Sequence, residues 1–165
     1  MEVNVSAFEV YDKDWALVTA GTEGSYNTMT ISWGGIGTLW SKPVVTVYVK
    51  PIRYTWQFLE ENEYFTVSFY PEECRLALQV MGSESGRNCD KESMAGLTPK
   101  ELSGAVTFEE AQVTLLCRKI YFQDLDLENM PQDVVRNHYT VEEPHRMYIG
   151  EVLEMIDGCS DTEIV

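Results

Sequence analysis

What most constrains this chain is a series of strand-like runs that no regular alternation of helices connects. Trp15-Ala-Leu-Val-Thr-Ala20, Tyr26-Asn-Thr-Met-Thr-Ile-Ser-Trp33, Val44-Val-Thr-Val-Tyr-Val-Lys50, Tyr64-Phe-Thr-Val-Ser-Phe-Tyr70, Val113 to Phe122 and Met147 to Ile156 are all rich in β-branched and aromatic residues. Those types fit a pleated, half-buried surface. Gly21-Thr-Glu-Gly24 reads as a hairpin turn between the first two runs. Pro43 introduces the third and Pro51 stops it, because proline cannot donate to a ladder. Helical spacing intrudes only briefly: over Tyr54 to Glu61, where Trp56 and Leu59 fall at i, i+3, over Arg75 to Met81 with Gly82 as the expected C-cap, and over Asp90 to Ala95. Parallel strands would need a long crossover at every step. The expectation is therefore a mainly β fold, an antiparallel barrel of Greek-key type, closed or nearly closed, with short helical insertions. Ser83 to Lys100 and the acidic loop holding Asp124, Asp126, Glu128 and Asp133 read as excursions from the sheet.

The length of 165 residues suits one domain spanning 1–165, and 44% hydrophobic with 24% charged residues is the composition of a globular chain. There is no internal repeat and no apolar run long enough to cross a bilayer, and Met1-Glu-Val-Asn-Val5 lacks the basic and apolar regions of a signal peptide. A cytoplasmic location is expected. Cys74, Cys89, Cys117 and Cys159 are irregularly spaced and read as free thiols, and neither His138 nor His145 sits in a metal-ligand spacing, so zinc and serine-hydrolase chemistry are not expected. A formal net charge of −15 repels nucleic acid and anionic membranes, and neither is expected as a partner.

The charge is uneven. From Gly24 through Leu59 there is no Asp or Glu, where a proportional share of the 27 acids would be about six. Strand burial explains part of this gap, but Lys42, Lys50 and Arg53 remain in it. A segment stripped of anions and not of cations supplies the local field that an anionic small ligand needs. Within it, Thr28, Thr30 and Ser32 share one strand face and Met29, Ile31 and Trp33 the other. Spacing alone favours a half-solvated edge strand here, although hydroxyls in a row also suit a phosphate. Pro51-Ile-Arg-Tyr-Thr55 places Arg53 where a helix begins, and the unpaired amides and dipole of a helix N-terminus favour an anion. Ser85-Gly-Arg-Asn-Cys-Asp-Lys91 adds donors on a glycine-containing loop, an ordinary turn when taken alone.

Taken together and in order, Asn27-Thr-Met-Thr-Ile-Ser-Trp-Gly34, Pro51-Ile-Arg-Tyr-Thr55, Ser85-Gly-Arg87 with Asp90-Lys91, Ala95-Gly-Leu97 and His145-Arg-Met-Tyr-Ile-Gly-Glu151 resemble the flavin reductase-like family, to which flavoredoxins belong. The likeness runs from about Trp15 to Glu151. It implies an FMN-binding split barrel and a homodimer, with FMN held non-covalently near the subunit interface. Carried over, the cofactor contacts are Asn27, Thr28, Met29, Thr30, Ser32 and Trp33 on one wall, Lys50, Arg53, Tyr54 and Thr55 around the phosphate, and Ser85, Gly86 and Lys91 from a covering loop. Cys89 is expected to be an incidental thiol and His145 structural. No GxGxxG follows a strand, so NAD(P)H would bind only transiently against the flavin. The implied activity is an NAD(P)H-dependent reductase of flavin or a small acceptor. The alternatives are a flavoredoxin-type carrier docking to a redox protein, or a barrel that has lost its flavin. No protein acid or nucleophile is singled out, because the cofactor carries the chemistry.

Overall fold

The computed structural model describes residues 8–141 and 143–158. A short helix α1 (Glu9–Asp12) leads into β1 (Ala16–Thr22) and β2 (Ser25–Ile31), then β3 (Gly34–Leu39), β4 (Lys42–Val49), α2 (Tyr54–Glu61), β5 (Tyr64–Phe69) and α3 (Arg75–Ser83). After these come α4 (Lys91–Ala95), β6 (Pro99–Leu102), β7 (Ala105–Phe108), β8 (Val113–Asp124), α5 (Gln132–His138) and β9 (Arg146–Asp157). Seven strands form one antiparallel sheet in the order β2-β1-β5-β8-β9-β4-β3, and β6 with β7 makes a separate hairpin.

The chain order forces this sheet to curl. Its two edges, β2 and β3, are consecutive in sequence and only Ser32 and Trp33 lie between them. Laid flat, the edges would be about 29 Å apart at a strand spacing of ~4.8 Å, whereas so short a link reaches at most about 11 Å. The sheet therefore bends round until its edges meet at the Ser32–Trp33 corner, and β2 approaches β4 across the seam. Among the described residues no ladder joins β2 to β3. The result is an antiparallel split barrel.

Inside the curl lie Val18, Ala20, Met29, Ile31, Val45, Val47, Phe65, Val67, Leu115, Cys117 and Tyr148, closed at one end by Tyr11 of α1. Leu17, one residue from Val18 and so on the other face, belongs to a second cluster with Tyr70, Leu78, Met81, Leu97 and Phe108 under α3, α4 and the β6–β7 hairpin. β1 is thus covered on both faces. At Gly150 of β9 a Cβ would stand 2.5 Å from the Phe65 ring and 2.8 Å from the Cys117 Cβ, so the barrel wall closes only with glycine there.

Several expectations change in the folded chain. β2 is an edge by hydrogen bonding but not half-solvated, because α3 packs against it. Gly82 is not the C-cap: the helix runs through it to Ser83, and its lack of a side chain lets α3 approach Thr30, whose Cβ lies 3.2 Å from where a Gly82 Cβ would be. Pro43 sits inside β4 and not before it, opposite an outer strand, β3, that was not expected. The β6–β7 hairpin begins inside the expected polar excursion, at Pro99, and runs past its end, turning on Ser103 and Gly104 at positive φ, and α5 occupies the acidic loop.

Candidate functional site

Helix α2 begins immediately after the acid-free strands. Arg53 is its N-cap in extended backbone, and among the described residues no side chain caps it; the Trp56 amide donates to the Arg53 carbonyl at 3.1 Å, and the Tyr54 and Thr55 amides before it are the ones offered to a ligand. The donors of this junction converge with those of the loop between α3 and α4. Asn27, Met29, Ile52, Arg53, Tyr54, Thr55, Ser85, Gly86, Arg87 and Lys91, with Ser83 and Glu84, line one cleft of about 290 Å³. Three cations and one carboxylate face it, in a chain whose net charge is −15.

The cleft is assembled by a few specific contacts. Asn27 is buried and its Nδ2 donates to Thr55 Oγ1 at 2.7 Å, tying β2 to the start of α2 and leaving the Thr55 hydroxyl proton to donate elsewhere. The covering loop presses on the same amide. A Cβ at Gly86 would lie 2.1 Å from Asn27 Oδ1, so only glycine allows this approach. Arg87 closes the loop downward, its guanidinium 4.7 Å from the Tyr54 ring centre and its Nη1 donating to the Ile52 carbonyl at 3.3 Å.

Two of the cations are held by the end of α3, whose last carbonyls have no intrahelical partner and carry the negative end of the helix dipole. Arg53 Nη2 donates to the Gly82 carbonyl at 2.8 Å and Lys91 Nζ to that of Met81 at 3.3 Å. Lys91 is 1% exposed. Burial, reinforced by the nearby Arg53, pulls its ammonium down to about 8 against the opposing pull of Glu92, Cys89 and Glu84. Asp90 caps α4, accepting from the Ser93 amide at 3.1 Å, and thereby fixes the base of the Lys91 side chain.

Asn27, Met29, Arg53, Tyr54, Thr55, Ser85, Gly86 and Lys91 thus come together from distant parts of the sequence. Thr28, Thr30, Ser32, Trp33 and Lys50 do not line this cleft. Thr28 is buried, its hydroxyl turned to the Val18 carbonyl and Thr19, and Thr30 Oγ1 donates to the Leu78 carbonyl at 2.5 Å. Ser32 and Trp33 form the corner between β2 and β3. There the Trp33 ring lies 5.4 Å from that of His138 and 5.1 Å from that of His145, and Tyr139 Oη is 3.0 Å from His145 Nδ1. Lys50 sits over the Tyr139 ring at 5.9 Å and lines a second hollow of about 380 Å³ with Pro51, Ile52, Val141 and Glu143. Ile52, 64% exposed, borders both spaces. Lys42 faces neither. It pairs with Glu151 on β9, which also accepts from Arg118 at 2.6 Å.

Ile52, Ser83, Glu84 and Arg87 line the cleft without having been expected there, although Ser85-Gly-Arg87 was the motif that could have found the last. A larger, mostly apolar hollow of about 690 Å³ lies elsewhere, between Val10, Phe69, Leu78, Leu115, Val152 and Met155. It lacks convergent donors, and the arginine at its rim, Arg75, is turned to the carbonyls of Lys13 and Asp14.

Residues 11–163 match the model of the flavin reductase like domain. The chain belongs to that family. Its fold is shared by an FMN-binding protein of Thermus thermophilus, at a TM-score of 0.70 and 19% identity over 97% of this chain and 79% of that one. Flavoredoxin of Methanosarcina acetivorans matches at 0.70 and 20% identity over 100% and 77% of the two chains, and flavoredoxin of Desulfovibrio vulgaris (Miyazaki F) at 0.68 and 22% over 95% and 76%. At such identities the likeness is one of fold. No curated protein matches the sequence. Among the described residues no helix is long and apolar enough to cross a membrane, and no cluster of His, Cys, Asp and Glu is placed to hold a metal.

Proposed function

We propose that this member of the flavin reductase-like family binds FMN non-covalently and works as a flavin-dependent oxidoreductase, an NAD(P)H-dependent reductase of flavin or a small acceptor. The observation that carries this reading is the cleft at the start of α2. Arg53, Arg87 and Lys91 meet the Thr55 and Ser85 hydroxyls there, under a loop whose Gly86 has no room for a side chain. This donor set suits a phosphate dianion, which asks for several N–H and O–H donors and net positive charge. At about 290 Å³ the cleft is at the small end for an organic ligand, so it fits the phosphate end of FMN. The second hollow beyond Ile52, with Lys50, offers room for the rest.

When bound, FMN would supply the redox chemistry at its ring. The protein's part is to fix the phosphate, exclude water beneath the Ser85–Lys91 loop and hold a face of the ring accessible. Arg53 and Lys91 are anchored on the α3 carbonyls before any ligand arrives, so little side-chain freedom is lost on binding. Asn27 sets the Thr55 hydroxyl. The Trp33, His138 and His145 corner adjoins Tyr139, over which Lys50 sits. We further propose a cytoplasmic homodimer.

A second reading, a flavoredoxin-type electron carrier without nicotinamide reactivity, is favoured by the net charge of −15, which would steer the protein to a basic redox partner. The test is sequential. Protein mixed with FMN and freed of excess should stay yellow, and a preparation that returns colourless would sink both readings. Rapid anaerobic bleaching by NADH or NADPH supports the reductase, whereas bleaching only by dithionite or a protein donor supports the carrier.

A further inference from the structure

Among the described residues Lys91 is the only charged side chain that is buried. Lysine is rarely buried unless it is paired, yet the hydrogen bond that holds its Nζ goes to a neutral carbonyl, that of Met81. The charged and titratable groups acting on it come from each neighbouring element: Glu92 on α4, Cys89 in the covering loop, Glu84 just past α3 and Arg53 at the start of α2. The first three favour the ammonium. Burial and Arg53 oppose it. Lys91 and Arg53 also line the same cleft and lean on neighbouring carbonyls of one helix end, so two like charges share a site whose wall carries a single carboxylate, Glu84.

We propose that Lys91 is a proton-coupled anion ligand: a phosphate group entering the cleft fixes on Lys91 a proton that the ligand-free protein holds loosely, so that anion binding and proton uptake are one event. The proton comes from solvent and joins the Nζ lone pair, and the resulting ammonium donates to the phosphate. An anion between Arg53 and Lys91 removes the repulsion between them and replaces the hydration that burial has taken away. The ligand-free ammonium titrates at about 8. A bound dianion moves that titration upward, so the ligand-bound state carries more protons and affinity falls as pH rises above 8. Between pH 7 and pH 9 the dissociation constant increases about five- to tenfold. The inference rests on the reading of the cleft as the FMN phosphate site.

The experiment is titration of the Lys91 ε-methylene by NMR in 13C-lysine-labelled protein, free and saturated with FMN. Isothermal calorimetry with FMN follows, in two buffers of different ionisation heat near pH 8. The expected result is a midpoint near 8 that moves up by more than about one pH unit with FMN, and uptake of about half a proton per FMN bound. Lys91→Arg, which stays charged, and Lys91→Gln, which cannot be, should both bind FMN without that uptake. A midpoint unmoved by FMN, or the same uptake in both variants, would overturn the proposal. Absence of any binding heat with FMN would overturn the cofactor reading and the proposal together, and is distinguishable from the other outcomes because no saturation is reached.

Discussion

Asn27 shows how much of the site depends on single atoms. Its amide nitrogen orders Thr55 while its oxygen packs against the backbone of Gly86, so one side chain sets both the floor and the cover of the cleft. Gly86→Ala puts a methyl group where Asn27 Oδ1 stands and must push the loop outward. The prediction is a folded protein whose FMN affinity falls at least about tenfold, since displacing one or two charge-assisted donors costs about 1.5 to 3 kcal/mol each. Circular dichroism and flavin fluorescence titration check the two halves of that statement. Arg53→Ala should weaken FMN by a similar step, and an unchanged affinity would refute the phosphate assignment. Arg53 and Thr55 were legible in sequence because their position at a strand-to-helix junction is local information. The hydroxyl of Thr30 was not, because the group it meets, the Leu78 carbonyl, comes from a helix brought over β2 only by the tertiary fold.

At the scale of elements, α2 is fastened at both ends, by Asn27 at its start and by Glu60 at its finish. Glu60 accepts from Arg146 Nη1 at 2.8 Å and from Tyr148 Oη at 2.6 Å, joining the helix to β9. Arg146 also grips Asp124 at the end of β8, with Nε to Oδ1 at 2.7 Å and Nη2 to Oδ2 at 2.9 Å. Tyr148 is fully buried. Glu60→Ala leaves its hydroxyl without that acceptor, which costs about 1 to 3 kcal/mol and should appear as a lower urea midpoint with an unchanged slope. Tyr148→Phe in the same background should recover part of the loss, because no phenol is then stranded. The long strands were legible from their β-branched runs. β3 was not, since Gly34-Gly-Ile-Gly-Thr-Leu39 is half glycine and is held as a strand by the ladder to β4 instead of by propensity. The β6–β7 hairpin escaped because four-residue strands carry almost no period, although Ser103-Gly104 is a turn signal of the kind that closes two-residue hairpins.

At the scale of the molecule, the mainly β architecture followed from the absence of βα alternation, and its curl follows from the two residues that join the sheet's edges. The charge balance acts at this scale as well. A chain of net charge −15 repels its own copy, so the proposed homodimer has to form over surface poor in acids, and its association should strengthen when salt screens the rest. Sedimentation velocity should show a species of twice 18.9 kDa whose share rises from low salt to about 0.3 M, where the Debye length is well under 10 Å. A monomer at every salt concentration would refute the dimer. Charge counting in the sequence pointed only to a site for some anion. What the fold adds is the place where that charge converges, on one helix start and one helix end under a glycine loop. The measurement that tests this most directly is the affinity of the protein for FMN against riboflavin, which has the same ring and no phosphate. Two charge-assisted contacts at about 1.5 to 3 kcal/mol each predict that FMN binds at least about a hundredfold more tightly. Equal affinities for the two flavins would contradict the account.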